Sequence, residues 1–114
     1  MAADEQRGRV LDALGDRNRR AIVDLLVERP RAVVELADEL PVGRPAVSLH
    51  LKVLKEAGLV RAAAVGNRRI YSIDPSGLEL LRTYLDRVWG AALSSFATAA
   101  EAEHRATSTR KGRG

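Results

Sequence analysis

Arg44-Pro45-Ala46-Val47-Ser48-Leu49-His50-Leu51-Lys52-Val53-Leu54-Lys55-Glu56-Ala57-Gly58 is the stretch that decides the fold. Val47, Leu51 and Leu54 recur at i, i+4 and i+7, so one stripe of a helix turns inward. Arg44, Ser48, Lys52 and Lys55 recur at the same spacing on another face, which is cationic with a hydroxyl near its start. Gly43 is a tolerated N-cap, proline is accepted in the first turn, and Gly58 supplies the stop at the C′ position.

Upstream, the pattern is helical. Val10, Leu11 and Leu14 mark a short first helix closed by Gly15. Asp16 is a good N-cap for a second, with Ile22, Leu25 and Leu26 as its apolar stripe and Pro30 as its end. Val33, Val34, Leu36, Ala37 and Leu40 give a short third helix, stopped by Pro41. Downstream of Leu59 the period becomes extended. Val60–Val65 and Arg68–Ile73 flank Gly66-Asn67, the signature of a β-hairpin with a tight primed turn. Asp74-Pro75-Ser76-Gly77 breaks the pattern, and a long helix follows from about Leu78 to about Glu103. The order is α-α-α-α-β-β-α: mostly α with a small β-hairpin, a winged helix-turn-helix. Residues 1–104 read as one domain and 105–114 as a disordered basic tail.

Charge sharpens the reading. The net charge is +4, but residues 1–40 hold seven basic and nine acidic side chains. Residues 41–73 hold six cations against Glu56 alone, residues 74–104 are again acidic, and the tail from Arg105 adds four cations. The cationic stretch coincides with the fourth helix and the hairpin. Lysine and arginine suit phosphates, and short polar groups near a helix start suit base edges. The DNA-facing set expected here is Arg44, Pro45, Ser48, Leu49, His50, Lys52, Lys55, Arg68 and Arg69. Leu49 is placed for a thymine methyl. Arg68 and Arg69 follow the hairpin turn, where an arginine enters a narrow minor groove. A solvated helix face and a hairpin with a charge-blunted edge fit either feature alone; their conjunction favours double-stranded DNA. His50 fits a phosphate donor or a filler between helix and core.

No cysteine is present, which removes disulfides, thiol redox chemistry and thiolate metal sites. No catalytic motif or cofactor signature appears, so an enzyme is not expected. No apolar run approaches the length of a membrane span, and the polar N-terminus is unlike a secretory signal. A cytoplasmic location, at the nucleoid, follows. The final helix carries Leu81, Leu85, Val88, Trp89, Ala92, Leu93 and Phe96 at three- and four-residue steps. With Val10, Leu11 and Leu14, these are expected to form an isologous homodimer interface, spacing two recognition helices about one DNA turn apart, roughly 34 Å.

The sequence resembles the ArsR family of bacterial repressors over roughly residues 10–100. Leu14-Gly15-Asp16-Arg17-Asn18-Arg19-Arg20-Ala21-Ile22 is similar to the entry to that family's second helix. Val34-Glu35-Leu36-Ala37 and Pro45 to Val60 resemble its helix-turn-helix, and Gly66 to Tyr71 its wing. The resemblance implies a dimer that represses transcription from a roughly palindromic operator, usually beside its own gene. It implies DNA contacts from Arg44, Ser48, Leu49, His50 and Lys52, with Arg68 and Arg69 in the wing. Gly43 departs from the Ser or Thr usual before the recognition helix, and Leu49 stands where a polar residue is usual. The metal-binding cysteine pair of many relatives is missing from Val34–Leu40. On the last helix only Asp86, Glu101, Glu103 and His104 remain as donors, at the wrong spacing for the family's alternative site. No metal and no cofactor are therefore expected, and no effector is legible. A nucleoid-type protein that coats DNA without sequence preference is the other reading.

Overall fold

A computed structural model describes the backbone of residues 2–113 and the side chains of residues 2–107. The elements are α1 (Ala2–Ala13), α2 (Arg17–Glu28), β1 (Arg31–Ala32), α3 (Val33–Glu39), α4 (Arg44–Glu56), β2 (Val60–Val65), β3 (Arg68–Ile73) and α5 (Pro75–Arg113). They divide into two units, Met1–Arg82 and Thr83–Gly114.

The first unit is built on apolar stripes that meet. Val10 and Ala13 of α1, Ile22 and Leu26 of α2, Leu36 of α3, and Val47, Leu51 and Leu54 of α4 are all buried together. Leu59 and Val60 close the core on the sheet side. Val10 is thus a core residue of its own chain and not, as the sequence reading has it, a group available to a second copy: it is wholly buried in the same cluster as Ile22, Leu51 and Leu54. Leu14 and Leu81 also pack against this core, half-buried, while Leu11 is exposed.

Helix ends are closed as the sequence dictates. Asp16 accepts the N–H groups of Asn18 at 2.8 Å and Arg19 at 3.1 Å, satisfying donors that have no partner within α2. Those bonds, Arg19's first, hold the Asp16 carboxyl below its ordinary range. Arg19 and Arg20 turn back to the end of α1, donating to the carbonyls of Ala13 at 2.7 Å and Leu14 at 2.8 Å. Arg31 is buried, which an arginine tolerates only when paired. Its guanidinium donates to Glu28 at 2.7 Å and to the Leu25 carbonyl at 3.2 Å.

The sheet has three antiparallel strands in the order β1-β3-β2. β2 and β3 pair from Val60↔Ile73 to Val65↔Arg68 around the Gly66-Asn67 turn. Gly66 has φ +65° while Asn67 stays negative, the pattern of a type II′ turn. β1, unforeseen from sequence, pairs Arg31↔Tyr71 and Ala32↔Ile70, fastening the hairpin to the segment between α2 and α3. Two residues carry no alternation, so no periodicity announces such a strand.

Asp74-Pro75-Ser76-Gly77 opens α5 instead of merely breaking the pattern. Asp74 accepts the Ser76 N–H at 3.0 Å and its hydroxyl at 2.8 Å, and Pro75 takes the first helical position, where its missing N–H costs nothing. Leu78 and Leu81 pack on the core of the first unit. In the second unit α5 is helical to Arg113, so the helix continues through the stretch from Arg105 that the sequence reading treats as a disordered tail. No proline follows Pro75 to end it. Leu85, Val88, Trp89, Ala92, Leu93 and Phe96 are exposed on it, Trp89 at 67% and Phe96 at 73%.

Candidate nucleic-acid interface

α4 presents the two faces that its spacing requires. Val47, Leu51 and Leu54 are buried, whereas Arg44, Pro45, Ser48, Leu49, Lys52 and Lys55 are exposed. Leu49 is 66% exposed, an apolar side chain offered outward from the middle of a polar face. Gly43 caps α4 without a side-chain bond to its first N–H groups. Those donors and the positive end of the helix dipole form a natural seat for an anion. His50 is half-buried and lies near enough to Asp16 to help, more weakly than the helix-cap bonds, in lowering the pKa of that carboxyl. It sits at the boundary between the exposed and packed faces.

The wing brings its arginines to α4. Arg44, Arg68 and Arg69 line one open groove whose remaining walls are Ala32, Val33 and Val34. Arginines from two elements, α4 and β3, therefore border one apolar floor at the start of α3. Arg69 lies over the Tyr71 ring, 5.9 Å from its centroid, a separation at which a cation is attracted to the ring face.

Arg68 is held differently. Its Nη2 donates to Glu35 Oε1 at 2.9 Å. The same carboxylate accepts the Ala32 N–H at 3.0 Å and, through Oε2, Arg29 Nη1 at 2.9 Å. The Ala32 N–H foremost, then Arg29 and Arg68, hold the Glu35 carboxyl down at about 2. Sequence reasoning names Glu35 only within a resemblance and does not foresee this role. The position three residues after Ala32 is a local capping signal, but the partner Arg68 is 33 residues away and no local pattern reports it. A pH dependence follows. Because folding lowers the pKa, the stabilisation is complete above the ordinary value of 4.5 and is lost as pH falls from there toward about 2. Thermal unfolding between pH 6 and about 2 should show the wild type losing stability relative to Glu35→Gln in that window and not above it.

Among the described residues no cluster of three or more His, Asp or Glu side chains is gathered as a metal site would need. No described helix is long and apolar enough to cross a membrane.

Comparison with known proteins agrees with this geometry. The family described as "Bacterial regulatory protein, arsR family" matches residues 16–62, from the cap of α2 into β2. The HTH-type transcriptional regulator Rv2034 of Mycobacterium tuberculosis is 55% identical over 103 residues, 90% of this chain and 96% of that protein. The HTH-type transcriptional repressor SmtB of the same species is 46% identical over 66 residues, 58% of this chain but only 49% of the repressor. Among solved structures, the homodimeric winged helix-turn-helix DNA-binding domain of a possible ArsR-family regulator from Mycobacterium bovis superposes with a TM-score of 0.65. It is 32% identical, over 82% of this chain and 87% of that one. With α3 and α4 as its helix-turn-helix and β2–β3 as its wing, this chain belongs to the ArsR family of DNA-binding transcriptional regulators, which are not enzymes.

Proposed function

We propose that the chain is a homodimeric, sequence-specific repressor that acts in the cytoplasm on a roughly palindromic operator, its own promoter included, and that it works without a metal ion. The observation that carries this reading is that Arg44 of α4 and the wing residues Arg68 and Arg69 of β3 border one groove. A recognition helix and a wing that share one cationic edge can hold one stretch of phosphate backbone while Ser48 and Leu49 approach the bases. Pro45, His50, Lys52 and Lys55 complete the proposed surface. Repression is supported by the relative named as a repressor, and the absence of cysteine argues against thiolate metal sensing.

Dimerisation is supported by the exposed apolar side chains of α5, Leu85, Val88, Trp89, Leu93 and Phe96, and by the homodimeric neighbour. Aromatic and aliphatic groups left bare in this number mark a contact surface. A two-fold contact would use the same patch on both copies. Leu11 is the exposed candidate from α1.

Competition binding tests the reading. The protein is expected to prefer duplex from its own upstream region over random duplex by about 10³-fold or more. Equal binding to both would hand the function to non-specific DNA coating. Arg44→Ala and Ser48→Ala are each expected to weaken operator binding by about 1–3 kcal/mol, with discrimination between sites reduced. Lys55→Ala should instead weaken all duplexes alike and lower the slope of log K against log salt by about one.

A further inference from the structure

Glu35 stands behind the proposed DNA-facing surface and has no part in it so far. Its carboxylate bonds a wing arginine and joins three elements: Arg29 at the end of α2, the Ala32 N–H at the start of α3, and Arg68 at the start of β3. We infer that Glu35 is a positioning residue that engages Arg68 from within the protein and thereby tempers the wing's attraction for DNA of any sequence. The inference rests on the reading above that Arg68 faces DNA.

The physical argument starts from the charge balance around the wing. An arginine at a wing edge is a phosphate ligand that reads no sequence, so by itself it raises binding to every duplex. With Nη2 committed to Glu35 at 2.9 Å, Arg68 meets an approaching phosphate as half of an ion pair. The phosphate must either share the guanidinium with the carboxylate or displace it. Either way the gain from that contact falls, and the nearby negative charge repels the backbone. Glu35 itself is anchored: its bonds to the Ala32 N–H and Arg29 persist when Arg68 moves, so the carboxylate stays to recapture the arginine. Arg69, on the opposite face of the strand and lying over the Tyr71 ring, is bonded to no carboxylate among the described residues. The two adjacent arginines therefore differ in kind: Arg69 is an open cation and Arg68 a restrained one. Restraint lowers non-specific affinity, against which an operator must be distinguished.

Glu35→Gln separates charge from folding, because glutamine still offers an oxygen to the Ala32 N–H and satisfies the same helix-start position. The test measures full-length wild type, Glu35→Gln, Arg68→Ala and the double variant on a random-sequence duplex across a salt series. Glu35→Gln is expected to bind random duplex about two- to fivefold more tightly, the size of an exposed ion pair expressed as a ratio. Its salt slope should steepen by about 0.9, one additional phosphate contact. Both changes should vanish when residue 68 is alanine. If Arg68→Ala weakens binding but Glu35→Gln does not strengthen it, the restraint is overturned and the DNA-facing wing survives. A Glu35→Gln gain that persists in the Arg68→Ala background would also overturn it, since the effect would then be bulk charge. If Arg68→Ala leaves affinity and salt slope unchanged, the wing reading itself falls, and the inference with it.

Discussion

Gly77→Ala is expected to destabilise the protein by about 3 kcal/mol, at the upper end of what overpacking costs. A Cβ at residue 77 would lie 2.5 Å from the Gly58 carbonyl oxygen and 2.8 Å from its carbon. These are backbone atoms, so no side chain can swing aside. The crowding is imposed by a bond: the Gly77 N–H donates to that same carbonyl at 2.9 Å, drawing the start of α5 against the end of α4. Gly58 cannot retreat easily, since it turns the chain with φ +77°, a conformation other residues rarely adopt. In a domain of this size the loss corresponds to a melting temperature lower by roughly 10–20 °C. Urea unfolding measures it directly; a change below about 0.5 kcal/mol would mean that the two glycines do not touch as described.

Leu51→Ala carries the second large effect, about 3 kcal/mol or somewhat more. Leu51 is wholly buried where α4 meets the core, and truncation there removes apolar contact and leaves a cavity that the surrounding helices fill only in part. The informative comparison is with its neighbour. Lys52 is exposed, so Lys52→Ala should change stability by less than about 0.5 kcal/mol while flattening the salt dependence of DNA binding by about one unit. Adjacent residues would then divide cleanly, one affecting unfolding and the other binding. Similar stability losses at both positions would refute the orientation of the helix.

How much of this was legible in the sequence depends on the range of the forces involved. The inward stripe of α4, its glycine stop and the hairpin arms are local patterns, and the observed bounds of β2 and β3 are those read from Val60–Val65 and Arg68–Ile73. The Asp74-Pro75 stretch reads as a break, yet α5 starts at Pro75, because residues that end one pattern also open the next helix. Val10 reads as an interface residue and is instead in the core, because telling the two apart requires knowing what packs on α1. Arg68 was legible as a cation at the wing; its pairing with Glu35 was not, because an ion pair across the fold leaves no trace in spacing. The same holds for β1, whose two residues are a strand only because β3 lies beside them.

That short strand also bears on how such a protein acquires new targets. The pairing of Arg31 and Ala32 with Tyr71 and Ile70 is made through main-chain atoms, which are indifferent to side-chain identity. The scaffold of the reading head is therefore specified by backbone and buried leucines, while the outward positions at 44, 48, 49 and 69 bear little of its structural load. If those positions meet DNA as proposed, substitutions there would re-address the protein to a different promoter without first being compensated by repairs to its architecture.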